Sequence, residues 1–338
     1  MNFTTQIKRF AAVCFAAGAV GAISTAHAGP YSNIYFFGDS LSDTGNVAAL
    51  GSPNPAGYAP GQYVDTAGNG SWVNTFAATL GTNATNSLAG GNNFAYGGAQ
   101  TGASVGANVP YLNQQVTSYL TRSGGAASSS ALYVILMGGN DIASIIGAAS
   151  TSATPAAVVS AGIGAGMTSL ATQVQTLFAA GARNFLLFNA PDVLPTPRFQ
   201  GVLASLPNDA ARAGLTGLSN QIVTGWNGAF TQTVGQLRAG LTGEDIDTVD
   251  LFGLGTNILA NLTGNGFDGS TAPCYNNGVI CADPAHRFFW DSFHPDSTVQ
   301  TFIAQAALRA VPLPGTLLLM VAGLLAFASV HRAKRSIQ

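Results

Sequence analysis

Asn33-Ile34-Tyr35-Phe36-Phe37-Gly38 is a short apolar and aromatic run that stops at a glycine, and Asp39-Ser40-Leu41-Ser42-Asp43 follows at once. Such a run, too short for a helix, reads as a buried strand. Leu132 to Met137 (L-Y-V-I-L-M), followed by Gly138-Gly139, reads the same way, and so does Asn184 to Asn189 (N-F-L-L-F-N). Ile246 to Leu251 (I-D-T-V-D-L) is more mixed and predicts a less covered strand. Continuous apolar runs, rather than alternating ones, belong to strands covered on both faces, as in a parallel sheet. Between the strands lie Ala156 to Ala180 and Leu203 to Arg238, rich in Ala, Leu and Val at helical spacing. Strands alternating with helices predict an α/β fold, a doubly wound and mainly parallel sheet flanked by helices. Gly51 to Gly70, rich in Gly, Pro and Asn, predicts a long surface loop. Ser123 to Ser130 reads as a flexible connector and Ala148 to Ala157 as a second.

The composition excludes several functions. Of 338 residues 47% are hydrophobic, enough for an ordinary core, but only 8% are charged. A nucleic-acid binder needs a basic face, which this chain lacks. Its single glutamate, Glu244, rules out an H-E-x-x-H metalloprotease. Three cysteines, Cys14, Cys274 and Cys281, are too few for a disulfide scaffold or a four-cysteine zinc site. Neither central histidine has a cysteine or second histidine at ligand spacing, so no metal and no cofactor are expected.

The two ends read as export signals. Lys8 and Arg9, the apolar run from Phe10 to Ile23, and Ala26-His27-Ala28 together describe a secretory signal peptide over residues 1–28. Its removal would take Cys14 and leave Cys274 and Cys281, which in an exported protein read as a disulfide closing a small loop. At the other end Val311-Pro312-Leu313-Pro314 precedes an uncharged apolar stretch from Thr316 to Val330, then His331, Arg332, Lys334 and Arg335. Fifteen residues is short for a membrane span, which usually takes about 17 to 25, but a basic end suits a stop-transfer segment. That order of proline motif, apolar segment and basic end resembles the PEP-CTERM sorting signal of exopolysaccharide-producing Gram-negative bacteria. The resemblance implies membrane attachment through residues 311–338 until a sorting enzyme processes the tail, at the periplasm or cell surface. Pro-Leu-Pro stands here where that signal usually has Pro-Glu-Pro. The intervening body, 29–310, holds seven arginines, no lysine and all 14 acidic residues, a formal charge of −7. It is long enough for one α/β domain, and no second is required.

In an open α/β sheet ligands bind beyond the carboxyl ends of the strands. Ser40 follows the first strand and Asn140-Asp141 the second. A serine there can face the cleft with its own N–H, which suits a nucleophile with a built-in oxyanion donor. Position alone leaves that role and an N-cap serine equally open. With His27 in the leader and His331 in the tail, only His286 and His294 could serve a Ser-His hydrolase. Each has an aspartate three residues upstream, Asp283 and Asp291, a spacing that lets carboxylate and imidazole meet.

Four blocks then carry a family resemblance. Phe37-Gly38-Asp39-Ser40-Leu41-Ser42-Asp43-Thr44-Gly45-Asn46 resembles the opening block of the GDSL (SGNH) lipase/esterase family. Asn93-Phe94-Ala95-Tyr96-Gly97-Gly98-Ala99 resembles its glycine block and Gly138-Gly139-Asn140-Asp141 its asparagine block. Phe289-Trp290-Asp291-Ser292-Phe293-His294-Pro295 resembles its closing block. The four stand in the family's order across the whole body. The resemblance implies Ser40 as nucleophile, His294 as general base, Asp291 as its orienting partner, and Ser40, Gly98 and Asn140 as the oxyanion hole. Gly97 is the residue that a one-place shift in register would select instead of Gly98. Asp39, Asp43 and Asn46 are expected to brace loops, and Asp141 to cap the following helix. Gly102-Ala103-Ser104-Val105-Gly106 satisfies G-x-S-x-G but follows no strand, which that motif requires. Gly162, Gly164 and Gly166 lie within a helical stretch, so they are no dinucleotide loop.

The function expected is therefore an exported lipase or esterase that cleaves carboxylic esters through a Ser-His-Asp triad and an acyl-enzyme. Its partner would be a small-molecule or lipid ester. Two alternatives stand beside it: an O-acetyl esterase acting on a secreted, acylated polysaccharide, and an inactive surface or matrix binding protein.

Overall fold

The computed structural model describes residues 30–68, 70–102 and 108–312. The leader with Cys14, the G-x-S-x-G centre at Ser104 and the tail beyond Pro312 lie outside the described residues. Four parallel strands form the main sheet in the order β1-β2-β3-β4: β1 Ile34–Gly38, β2 Leu132–Leu136, β3 Asn184–Phe188 and β4 Asp245–Val249. Tyr35 pairs with Tyr133, Tyr133 with Phe185 and Phe185 with Ile246, so the register is level across the sheet.

The segment Asn92–Tyr96 adds a rudimentary fifth strand outside β1. Phe36 N–H donates to the Asn92 carbonyl, and Phe94 and Tyr96 N–H donate to the Phe36 and Gly38 carbonyls. The chain thus leaves β1 for that edge, then doubles back past β1 to β2. This reversal makes the sheet doubly wound and puts its switch point between β1 and β2, where such sheets bind ligands.

The apolar runs are continuous because both faces are covered. Phe37, Tyr133, Ile135, Phe185 and Leu187 face a core shared with α3 (Leu112–Arg122), α4 (Gly139–Ser150), α5 (Pro155–Ala179) and α7 (Asp209–Gly240). Phe36, Val134, Leu136, Leu186 and Phe188 face the other core, closed by α2 (Trp72–Thr79), α8 (Leu251–Ala260) and α9 (Ser297–Ala310). Each fully buried side chain of this size stabilises the fold by about 1.5–3 kcal/mol. β4 is the edge strand, with Asp245 and Thr248 exposed, as its mixed sequence requires.

The structure departs from the sequence reading in several places. The strand expected over Ile246–Leu251 ends at Val249, and Leu251 opens α8. The stretch from Leu203 divides between α6 (Pro197–Ser205) and α7, because Pro207 cannot continue a helix and Asn208 caps α7 through the Ala211 N–H. The connector expected over Ala148–Ala157 shrinks to 151–154 between α4 and α5. The Gly51–Gly70 loop is not all surface: Val64 and Asp65 within it are buried. Two of the three glycines of α5 have a packing role: a Cβ on Gly166 would lie 2.3 Å from the ring of Trp226, and one on Gly162 2.6 Å from Ile145, whereas one on Gly164 would meet nothing within 4 Å.

Candidate active site

β1 ends where Gln115, fully buried on α3, grips the Gly38 peptide. Its Oε1 accepts the Gly38 N–H and its Nε2 donates to the Gly38 carbonyl, both at 2.9 Å. The chain then turns sharply, with the Asp39 carbonyl accepting from Ser42 and Asp43 N–H and the Asp39 side chain from Leu41 N–H. Ser40 sits on this turn; it caps no helix, and α1 (Asn46–Ala49) starts only six residues later.

The closing loop brings the other end of the chain to it. Trp290 N–H donates to the His294 carbonyl and Phe289 bridges Pro295, closing a tight turn over Asp291–His294. Within it Asp291 Oδ1 accepts the Phe293 and His294 N–H groups, each at 2.7 Å. Asp291 Oδ2 lies 2.8 Å from His294 Nδ1, and His294 Nε2 lies 2.8 Å from Ser40 Oγ. Burial alone would raise the Asp291 carboxyl, but the imidazole and the two N–H donors outweigh it and hold it at about 2. Asp291 therefore stays ionised beside the ring.

The pair Asp283/His286 makes the same bond, Nδ1 to Oδ2 at 2.8 Å, but at the surface with no hydroxyl beyond it. The side chains there are 57% and 64% exposed, against 13% and 14% for His294 and Asp291.

A third group reaches Asp291 that sequence spacing could not reveal. Tyr58 O–H donates to Asp291 Oδ2 at 2.9 Å, across 233 residues of chain. Burial, and next the Asp291 charge, push the Tyr58 phenol upward, so it remains a donor. Its ring packs edge-on against Trp290 and Tyr275. Tyr275 belongs to a small hairpin, β5 Tyr275–Asn276 and β6 Val279–Ile280, closed by the disulfide Cys274–Cys281. From the same loop Tyr63 lies over His294, ring centres 5.0 Å apart. The sequence marked that loop only by its turn residues.

The expected oxyanion donors are placed by a polar brace. Asp43, fully buried, accepts N–H bonds from Gly45, Asn46, Val47 and Gly97, tying the opening block to the glycine block. Asn46 adds two bonds to the Asn93 and Ala95 carbonyls. Gly97 N–H is spent on Asp43, while Gly98 N–H has no hydrogen-bond partner among the described residues. Gly98 has φ +81°, a backbone state that glycine adopts without cost. Asn140, at the start of α4, donates one side-chain N–H to the Ala99 carbonyl at 3.0 Å, leaving its second N–H available.

Asp141 does not cap α4. Its carboxylate instead accepts the Thr101 N–H and, at 2.6 Å, the Thr101 hydroxyl, because the glycine block folds back over the start of the helix. Burial outweighs those donors and raises Asp141 to about 6. Asp39, 3% exposed, is raised to about 7 by burial, partly offset by the Leu41 N–H and by His294. Among the described residues no group of three or more His, Cys, Asp or Glu could hold a metal ion.

A serine, a histidine and an aspartate hydrogen-bonded in series at the carboxyl end of a parallel sheet form the arrangement of a hydrolase. Residues 34–307 match the family described as GDSL-like Lipase/Acylhydrolase, so the chain belongs to that family and with it to the carboxylic ester hydrolases. It is 32% identical over 189 residues to Lipase 1 of Photorhabdus luminescens, covering 55% of this chain but only 26% of that protein. It is 29% identical over 292 residues to an acetylesterase of Thermothelomyces thermophilus, covering 81% of this chain and 86% of that protein. The extracellular lipase of Streptomyces rimosus aligns with 82% of this chain and 99% of its own at a TM-score of 0.43 and 17% identity.

Proposed function

We propose that this chain hydrolyses carboxylic esters with Ser40 as nucleophile, His294 as general base and Asp291 as the group that orients and steadies the imidazole. The observation that carries the reading is the unbroken hydrogen-bond series from Ser40 Oγ through both nitrogens of His294 to Asp291. Ser40 Oγ attacks the ester carbonyl carbon while its proton passes to His294 Nε2. Negative charge collects on the former carbonyl oxygen, and the N–H groups of Ser40 and Gly98 and the free side-chain N–H of Asn140 stabilise it. Collapse breaks the bond to the alcohol, which leaves with the proton from Nε2. Water then attacks the acyl-Ser40 ester by the same route and releases the acid. Asp291, ionised and held by four donors, keeps the ring in the tautomer that presents a free Nε2 to Ser40.

The test uses the full chain and a chromogenic short-acyl ester. Ser40→Ala and His294→Ala are expected to lose turnover and His286→Ala to keep it, with an ester-mimicking phosphonate adding mass at Ser40 alone. Turnover that survives Ser40→Ala would overturn the reading.

The likeness to an acetylesterase favours a second reading, release of acetate from an acylated, secreted polysaccharide. We further propose export by a signal peptide cleaved after Ala28 and membrane attachment through residues 311–338 until a sorting enzyme removes them. The paired Cys274 and Cys281 suit an oxidising compartment. Mass determination of the protein recovered from its host tests both termini, and an intact leader would rule export by this route out.

A further inference from the structure

The cleft that holds Ser40 and His294 has a cavity volume of about 80 Å³, more than an acetyl group fills. It is lined by residues that follow all four strands and by α8 and α9, including Leu41, Val193, Leu259, Phe289 and Ile303. Apart from Asp39, Ser40, Asp192, Thr196 and His294, the side chains lining it are apolar.

Gly255 lines the same cleft from the interior of α8, where glycine is a weaker helix former than alanine. Nothing local requires glycine there. Its φ is not positive, and a Cβ built on it would meet nothing within 4 Å. Gly253, two residues before, is different: a Cβ there would lie 2.2 Å from the Asp250 carboxylate. What the missing side chain at 255 preserves is open space in the cleft.

We propose that this cleft binds the acyl chain of the substrate and that Gly255 sets the length accepted, so that the acid released is an aliphatic chain of several carbons. The inference rests on the Ser40 reading above. Each further methylene that enters an apolar cleft strengthens binding by about fourfold.

The experiment is kcat/KM for the full chain over a series of nitrophenyl esters from acetyl to dodecanoyl, with thermal unfolding recorded for every variant. The wild type is expected to prefer a chain longer than acetyl. Gly255→Leu should lower the octanoyl-to-acetyl ratio by about tenfold or more, with Gly255→Ala between the two. Leu259→Ala, which enlarges the cleft from the same helix, should move the optimum to longer chains, and it decides the matter if Gly255→Leu does not fold. An acetyl preference in the wild type, or an unchanged profile in natively melting variants, overturns the inference. Ser40→Ala is run on each ester: turnover that survives it breaks the Ser40 reading itself, whereas Ser40-dependent turnover with an unmoved profile breaks only the assignment of length.

Discussion

The chain contains the same four-residue device twice, eight residues apart, and uses it for different ends. Asp283/His286 and Asp291/His294 share spacing, bonding atoms and a distance of 2.8 Å. The first stands in solvent on a single turn, Pro284–His286, and its imidazole has nothing to serve. The second is mostly shielded from solvent, with donors surrounding its carboxylate and Ser40 at the far nitrogen. A carboxylate–imidazole pair is thus a local product of sequence, while its chemistry is a product of what the fold delivers to either side.

The sharpest way to break this contrast is to treat the pairs alike. His294→Ala should lower kcat by about 10³-fold or more, while His286→Ala stays within about twofold, as for a surface substitution. Equal losses would mean that the exposed pair also serves the reaction. Asn140→Ala should cost about 2.7–4 kcal/mol of transition-state stabilisation, read as a fall in kcat with little change in KM. Near-normal turnover would remove Asn140 from the oxyanion hole.

Stability separates the pairs next. The Asp291 carboxyl is lowered to about 2 from an ordinary 3.8, so its ionised form is favoured by folding. Its contribution, on the order of 2 kcal/mol, is present above about pH 4 and disappears as the pH falls through about 2. Asp291→Asn should therefore unfold more easily than wild type at pH 7 and converge with it near pH 2. Asp283→Asn, at an exposed pair, should change stability by less than about 1 kcal/mol at any pH. A smaller effect than at His294 or Asn140 is expected at Tyr58, whose hydroxyl shares Asp291 Oδ2 with the imidazole. Tyr58→Phe should lower kcat/KM by about tenfold at most, equivalent to one hydrogen bond to a charged group. Turnover equal to that of the wild type would reduce Tyr58 to packing.

What sequence disclosed and what it hid divide along the same line. β1, β2 and β3 were legible because burial on both faces writes an unbroken apolar run into five or six residues. The rudimentary strand Asn92–Tyr96 was not, since it pairs by three bonds and is built from polar and small residues as much as apolar ones. Spacing predicted both Asp–His contacts and could choose neither; the resemblance of the closing block selected His294, and the fold places that ring, not His286, against Ser40. Tyr58, Tyr63 and the Asp141–Thr101 bond depend on contacts between 40 and more than 200 residues apart, and no local pattern encodes those.

The distance along the chain between the two halves of the site has a kinetic consequence. Ser40 and His294 are separated by 254 residues, so in the proposed mechanism the nucleophile has no base until nearly the whole domain has been made and has closed. At roughly 5–20 residues per second of synthesis, that leaves the serine inert for on the order of ten seconds or more. On this reading a nascent or truncated chain carries no esterase activity to misdirect, and the appearance of turnover during refolding reports the last long-range closure of the molecule.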